Sequence, residues 1–280
     1  MKHITLAGAA LNQTPLDFSR NTEHIIKAIE LAREQSVSIL CLPELCISGY
    51  GCEDMFYSPW LLQKSLDCLA EILPHTEGMV VTVGLPLEFE NCVHNTVAML
   101  KDGQLLGFVA KQELPGDGIY YEPRWFKPWP EAVVVTYDWQ GQSYPLGDMI
   151  FDIGGIRIGL EICEDAWNGI RPAQDHYLNN VDLILNPSAS NFAFGKSQVR
   201  DLLVREASRG YACTYLYSNL LGNEAGRIIY DGEILIAQEG RLLARHRRFG
   251  FHDYQILVQT VDLHRPRLGK KKSFNFEPRY

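Results

Sequence analysis

Short apolar runs alternate along this chain with longer amphipathic segments, a pattern that predicts strands and helices in turn. The apolar runs predict strands near 3–11, 37–42, 79–85, 96–100, 104–110, 132–137, 148–153, 156–162, 181–185, 212–217, 227–230, 233–238 and 256–262. Helical periodicity predicts helices near 19–35, 59–73, 172–179 and 196–209. Ser19 or Asn21 is the expected cap of the first helix, and Lys101-Asp102-Gly103 is the expected hairpin turn.

The grouping of these elements indicates the fold class. Early and late groups of strands, with helices between them, favour two stacked sheets covered by helices over one doubly wound sheet, although periodicity alone leaves both open. We expect one α/β domain over residues 1–264. Residues 265–280 begin with a basic stretch, and we expect them to form a C-terminal tail or a truncated linker.

One long segment interrupts the alternation. From Lys111 to about Glu131 the chain is rich in proline, glycine and aromatic residues. A long irregular loop inside a compact domain is usually functional or disordered. The many aromatic side chains favour an ordered loop that packs against the rest of the domain.

Composition narrows the classes of function. A chain of 280 residues with 46% hydrophobic content can bury a large core, and its net charge of -8 argues against a nucleic-acid surface. No apolar segment reaches the roughly 20 residues that span a bilayer, and the first ten residues predict a core strand rather than a signal peptide. The seven cysteines form no regular framework, which favours a reduced, cytoplasmic protein without a metal site.

Three predicted strands end close to three different ionisable residues. Glu44 follows the second strand, Lys111 follows the strand 104–110, and Cys163 ends the run that begins at Ile156. Strand ends of an α/β protein commonly present catalytic side chains. This coincidence predicts an active site that combines a carboxylate, an amine and a thiol.

These three groups are sufficient for amide hydrolysis through a thioester. A thiol attacks carbonyl carbon as the thiolate, a carboxylate can take its proton, and an ammonium stabilises the developing oxyanion. Each residue also has a plain structural explanation, because Cys163 could be a core thiol, Glu44 a helix cap and Lys111 a solvated strand end. A cysteine–histidine pair also stays open, although no local pattern ties any of the eight histidines to Cys163.

A family resemblance covers almost the whole chain, to about Leu263. Its motifs are Pro43-Glu44-Leu45 with Ser48-Gly49-Tyr50, Lys111 with its downstream loop, and Glu161-Ile162-Cys163-Glu164-Asp165-Ala166-Trp167. They resemble the signatures of the nitrilase superfamily of carbon–nitrogen hydrolases, which implies a four-layer α-β-β-α sandwich. The resemblance implies Glu44 as base, Lys111 as oxyanion stabiliser and Cys163 as nucleophile. It also implies that Glu122 supports this triad, without any cofactor or metal.

One branch of that superfamily resembles this sequence more than the other branches do. Its motifs are Asp117-Gly118-Ile119-Tyr120-Tyr121-Glu122-Pro123-Arg124-Trp125-Phe126, Ser188-Ala189-Ser190, Gly195-Lys196 and Tyr230-Asp231-Gly232. They are similar to the glutaminase domain of glutamine-dependent NAD synthetases. The resemblance implies hydrolysis of glutamine to glutamate, with the ammonia passed to an ATP-dependent synthetase active site.

The same resemblance implies a set of glutamine-binding residues, which are Tyr50, Asp117, Glu164, Ser190 and Lys196. Opposite charges explain two of them, because an α-amino group favours the Glu164 carboxylate and an α-carboxylate favours Lys196. Asp117 and Asn191-Phe192 depart from common versions of the pattern.

The resemblance leaves the chain's context open. Synthetases of this type continue into an ATP-pyrophosphatase domain with a Ser-Gly-Gly phosphate loop, which this sequence lacks. We therefore expect either an excised glutaminase domain or a free-standing amidase that acts on another small ω-amide. A non-catalytic binding or assembly module is a third alternative, which the intact Glu44, Lys111 and Cys163 set disfavours. Association into a homo-oligomer is also expected, whereas nucleic-acid or membrane partners are not.

Overall fold

Two sheets are stacked face to face in the computed structural model, which describes residues 3–224, 226–273 and 276–279. The first sheet has eight strands, which are β1 (His3–Leu11), β2 (Ile39–Cys41), β3 (Val80–Phe89), β4 (Cys92–Lys101), β5 (Gln104–Ala110), β6 (Val134–Trp139), β7 (Gln142–Gly147) and β16 (Tyr254–Asp262). Their order is β16-β1-β2-β3-β4-β5-β7-β6. β2 pairs with β1 on one side and with β3 on the other, in parallel, and therefore lies inside the sheet.

The second sheet has six strands. They are β8 (Phe151–Ile153), β9 (Ile156–Leu160), β10 (Leu183–Ser188), β11 (Thr214–Asn219), β14 (Ile234–Gln238) and β15 (Arg241–Arg245), in the order β15-β14-β11-β10-β9-β8. A small separate ribbon pairs β12 (Leu221–Asn223) with β13 (Ile229–Asp231). The parallel strands β9, β10 and β11 bring their carboxyl ends to one edge of this sheet.

Helices cover both outer faces. The five helices of the described residues are α1 (Phe18–Glu34), α2 (Pro59–Ile72), α3 (Pro172–Leu178), α4 (Lys196–Gly210) and α5 (His264–Lys272). One apolar cluster joins α1 and α2 to the first sheet, and another joins α3 and α4 to the second. A third cluster fills the space between the sheets. The four-layer α-β-β-α sandwich and its single domain are therefore confirmed.

Local details differ from the sequence prediction in two ways. The cap of α1 is Asp17, whose carboxylate accepts from the Arg20 N–H at 3.2 Å, so the expected Ser19 or Asn21 cap is wrong. The strands β7, β12 and β15 were not predicted, because none of them carries a long apolar run. The hairpin between β4 and β5 is confirmed, and its turn has positive φ at Asp102 and Gly103, a conformation that glycine adopts without strain.

The basic segment after residue 264 forms most of α5. Arg267 pairs with the buried carboxylate of Asp182 at 2.6 Å, and Lys270 is 3% exposed with its Nζ donating to the Val181 carbonyl. This helix therefore packs on the second sheet through charged side chains. No helix among the described residues is long and apolar enough to cross a membrane.

Candidate active site

The three predicted catalytic residues meet where strand ends from both sheets converge. Glu44 follows β2 and Lys111 follows β5 in the first sheet, whereas Cys163 follows β9 in the second. Their exposed fractions are 0%, 1% and 4%, so that all three are buried. Glu44 and Lys111 are in contact, and the charges of both act on Cys163, so that the three side chains lie close together in the interior.

Buried charges hold the amine in place. Nζ of Lys111 lies 2.6 Å from Oε1 of Glu44 and 2.8 Å from Oε1 of Glu122. The hydroxyl of Tyr50 donates to the same oxygen of Glu122 at 2.6 Å. Glu44 is fixed further by the side-chain amide of Asn95, which donates to Oε1 at 2.8 Å. The remaining oxygen of Glu44 accepts from the Ala189 N–H at 2.8 Å.

These charges set the protonation states of the site. Burial alone would lower the pKa of Lys111, but the carboxylates of Glu122 and Glu44 hold this pKa well above its ordinary value. Burial raises the pKa of Glu122 to about 7; the Lys111 ammonium opposes this and the Glu44 carboxylate adds to it. Lys111 is therefore a permanent cation at neutral pH.

Cys163, unlike Lys111, is held in its neutral form. Burial raises the pKa of Cys163, the Glu44 carboxylate raises it further, and the Lys111 ammonium lowers it. The resting cysteine is therefore a neutral thiol that needs a base to take its proton. Cys163 also has φ of 49°, a strained value for a residue with a side chain, at the start of the short turn Cys163–Ala166. This sharp turn places the thiol at the end of the strand.

Two of the predicted substrate-binding residues carry opposite charges near the thiol. The pKa of Glu164 is raised by burial, and both Lys111 and Lys196 act on it in the opposite direction. The pKa of Lys196 is lowered by burial, although the Cys163 thiol and Glu164 act to raise it. Both residues are half-buried, and Nζ of Lys196 lies 5.4 Å from the ring centroid of Trp167.

The other three predicted binding residues differ in their surroundings. Ser190 is buried, its Oγ accepts from Arg200 at 3.2 Å, and its N–H donates to Asn219. Tyr50 is also buried and directs its hydroxyl at Glu122. Asp117 is exposed and acts on the site through its charge, which raises the pKa of Glu164.

Several residues around the site were missed by the sequence analysis. Tyr120 accepts the Asn191 N–H at 2.6 Å and so joins the long aromatic loop to the segment that carries Ser190. Asn95 binds Glu44 from within β4, where it lies between His94 and Thr96 and no sequence signal set it apart. The buried Arg200 donates to carbonyls of the Ser190 segment, and only its place in the α4 periodicity could have indicated burial.

Within residues 3–224, 226–273 and 276–279, no group of three or more His, Cys, Asp or Glu side chains could hold a metal ion.

This fold and this site define a class of protein. Residues 5–269 match the family described as carbon-nitrogen hydrolase. The chain belongs to the carbon–nitrogen hydrolase family, as the sequence motifs indicated.

Individual relatives narrow the comparison further. A glutamine-dependent NAD(+) synthetase of Drosophila melanogaster is 33% identical over 94% of this chain and 35% of its own length. The crystal structure of a glutamine-dependent NAD(+) synthetase from Cytophaga hutchinsonii is 43% identical, covers 93% of this chain and 43% of that one, and has a TM-score of 0.87. An amidase from Nesterenkonia sp. shares the fold, with a TM-score of 0.73, 21% identity and coverage of 96% of this chain and 95% of that one. This chain thus spans well under half the length of the two synthetases.

Proposed function

We propose that this chain hydrolyses the side-chain amide of glutamine to glutamate and ammonia through a thioester on Cys163. The observation that carries the proposal is the burial of Cys163 with Glu44 and Lys111, next to the oppositely charged Glu164 and Lys196. Glutamine carries an amide at one end and both an ammonium and a carboxylate at the other. The amide matches the part of the site formed by Cys163, Glu44 and Lys111, and the two charged groups match Glu164 and Lys196.

The first half of the reaction forms the thioester. Glu44 takes the proton of Cys163 as its sulfur attacks the amide carbon, and the C=O electron pair moves onto oxygen. The Lys111 ammonium stabilises this oxyanion, which develops in a buried site where charge interactions are strong. Glu44 then gives the proton to the amide nitrogen, the C–N bond breaks and ammonia leaves.

The second half releases the product. Water attacks the thioester carbon while Glu44 takes one of its protons, and the oxyanion again forms beside Lys111. The C–S bond then breaks, the proton returns to sulfur, and glutamate leaves. Glutamine and water are consumed, glutamate and ammonia are formed, and the resting thiol is restored. Glu122 takes no proton in this sequence, and its role is to hold Lys111 in position.

Recognition of the amino-acid end is assigned by charge. Glu164 binds the α-ammonium group, and Lys196 with Ser190 binds the α-carboxylate. Tyr50 and Asp117 complete the predicted binding set, Tyr50 through its contact with Glu122 and Asp117 through its charge near Glu164.

We further propose that the ammonia serves NAD synthesis. The two synthetases described above support this proposal, since both are named glutamine-dependent and this chain matches less than half of each. The partner would be an ATP-dependent synthetase, present either as a further domain or as a separate subunit. Its addition should raise the rate of glutamine hydrolysis if the two active sites are coupled.

The test is ammonia release by the purified chain with glutamine, asparagine, small aliphatic amides and nitriles. Glutamine should be the best substrate, and Cys163→Ala should remove the activity. Cys92→Ala is the matched control, because this thiol lies at the start of β4 outside the site. Activity retained by Cys163→Ala would exclude the thioester route, whereas a preference for simple aliphatic amides would indicate an amidase.

Two further assignments concern the whole molecule. We propose a homo-oligomer, supported by large apolar side chains on the surface, which include Ile170, Phe194, Leu202 and Phe251. Light scattering after size-exclusion chromatography would measure the subunit number.

We also propose a cytoplasmic location, supported by seven free cysteines, and fluorescence microscopy of the tagged protein in its native cell would test it.

A further inference from the structure

A single carboxylate, that of Asp165, joins the segment after Lys111 to the turn that carries Cys163. Its Oδ1 accepts the N–H groups of Gln112 at 3.0 Å and Glu113 at 2.7 Å. Its Oδ2 accepts the N–H of Ile162, the residue before Cys163, at 2.8 Å. Asp165 is 2% exposed, so that these three bonds form away from solvent.

The two joined segments come from different sheets. Lys111 follows β5 of the first sheet, and Ile162 follows β9 of the second. The main chain of Lys111 is already fixed by bonds to Asn95 and Trp129, which belong to its own side of the site. Asp165 adds the tie across the gap between the sheets. The placement of the turn that carries Cys163 against the segment after Lys111 therefore depends in part on this carboxylate.

We infer that Asp165 is a positioning residue for the reaction, because it sets the placement of the Lys111 ammonium relative to the Cys163 thiol. This inference rests on the proposed roles of these two residues. Oxyanion stabilisation and nucleophilic attack both depend steeply on geometry, and a misplacement of 1 Å can cost about 10²-fold in rate. Loosening this tie should therefore lower the rate of the chemical step more than it weakens substrate binding.

The chain offers a matched control in Glu161. Asp165 lies two residues after Cys163 and Glu161 lies two before it, and both carboxylates are buried. Glu161 faces the outer layer, where it binds Arg171, the hydroxyl of Tyr215 at 2.7 Å and the Ala173 N–H at 3.0 Å. Among the hydrogen bonds of the described residues, none from Glu161 reaches the Lys111 segment. Its loss should therefore affect stability without moving the lysine.

The experiment compares Asp165→Asn and Asp165→Ala with Glu161→Gln and the wild-type chain. Asparagine keeps one oxygen for the Gln112 and Glu113 N–H groups but presents an NH2 group to the Ile162 N–H. We expect kcat per reactive Cys163 to fall about 10-fold in Asp165→Asn and about 10²-fold in Asp165→Ala, with KM for glutamine within about threefold. Glu161→Gln should keep the wild-type kcat while its thermal midpoint falls.

A second readout does not depend on the substrate. The rate of Cys163 alkylation by iodoacetamide, followed by mass spectrometry of the Cys163 peptide, should fall about 10-fold in Asp165→Asn and stay unchanged in Glu161→Gln. Wild-type kcat and alkylation rate in Asp165→Asn would overturn the inference. Equal losses in Asp165→Asn and Glu161→Gln would overturn it as well, since they would indicate only a general loss of structure.

The same readout separates this inference from the proposed function. A wild-type chain that turns over no glutamine would contradict the glutaminase proposal. The alkylation rates of the variants would still decide whether Asp165 positions the site.

Discussion

Lys111 and Glu122 form a two-pronged ion pair, with Nζ of the lysine 2.8 Å from Oε1 and 2.9 Å from Oε2 of the glutamate. Both side chains are buried, and Nζ also contacts Glu44 at 2.6 Å. One cation therefore contacts two carboxylates. In the proposed reaction Glu44 is the base, and Glu122 holds the lysine in position.

Replacement of Glu122 by Gln should lower kcat about 10²-fold, because the neutral amide no longer holds the ammonium on the developing oxyanion. KM for glutamine should change much less, since Glu122 does not contact the charged end of the substrate in the proposed complex. Steady-state kinetics with glutamine would measure both constants.

Tyr50→Phe is the matched control for that variant. It removes only the hydroxyl that donates to Glu122 and leaves the ion pair with Lys111 in place. Its kcat should fall less than about 10-fold. A kcat for Glu122→Gln equal to that of Tyr50→Phe would show that the ion pair is not needed for the reaction.

The layers of the fold were predictable because its central strands are buried on both faces. Residues 39–42 and 183–185 read as continuous apolar segments, which is typical of covered parallel strands. The edge strand β15 gave no such signal, because it is short, has an exposed arginine at each end and depends on β14 for pairing. This strand forms through its pairing with β14 in the folded protein, and sequence periodicity does not predict that pairing.

The candidate site was predictable only in part, for a similar reason. Glu44, Lys111 and Cys163 each follow a recognisable strand, so that their convergence followed from the fold. The roles of Asn95 and Asp165 depend on strand register and on the geometry of one turn. Neither property follows from residue spacing, because a shift of one position in a strand moves a side chain to the other face.

The pH dependence of substrate binding should have two limbs. Burial raises the pKa of Glu164, so that lowering the pH toward this value protonates the carboxylate and weakens its attraction for the α-ammonium. Burial lowers the pKa of Lys196, so that raising the pH removes its proton and weakens carboxylate binding. KM for glutamine should therefore rise at both ends of a pH series.

Two variants would assign these limbs. Glu164→Gln should raise KM at neutral pH and remove the acid limb, because the amide does not titrate. Lys196→Arg should flatten the alkaline limb, since arginine keeps its charge throughout the range. Deprotonation of glutamine itself affects every variant equally. An unchanged acid limb in Glu164→Gln would assign that limb to another group.

Arg200 should be important for stability. It is fully buried and donates to Asp231 at 2.6 Å, to Glu233 at 3.2 Å and to the Ser190 carbonyl at 3.0 Å. Arg200→Met should lower the free energy of unfolding by about 3–5 kcal/mol, because two buried carboxylates lose the buried cation that they share and keep the more exposed Arg248 and Arg245 at 3.5 and 3.8 Å. Urea unfolding followed by circular dichroism would measure this loss.

Arg209 on the same helix provides the control for Arg200. It pairs with Glu206 on the exposed surface, where water and salt screen the interaction. Arg209→Met should therefore show no resolvable change in the urea midpoint. Similar midpoints for the two variants would contradict the role assigned to the buried arginine.

The C-terminal helix α5 should be part of the folded domain rather than a detachable tail. The Asp182 carboxylate, 3% exposed, accepts both prongs of Arg267, and Lys270 binds the Val181 carbonyl. A chain that ends at Leu263 removes Arg267 from the Asp182 carboxylate, which keeps the Arg157 N–H at 3.0 Å, and leaves the Val181 carbonyl without Lys270. Each lost partner should cost about 1–3 kcal/mol. We therefore expect residues 1–263 to unfold at a lower urea concentration than residues 1–272, and the full chain to match the latter more closely. Equal midpoints for the 1–263 and 1–272 chains would instead support a domain boundary near residue 264 and a tail that adds nothing to the fold.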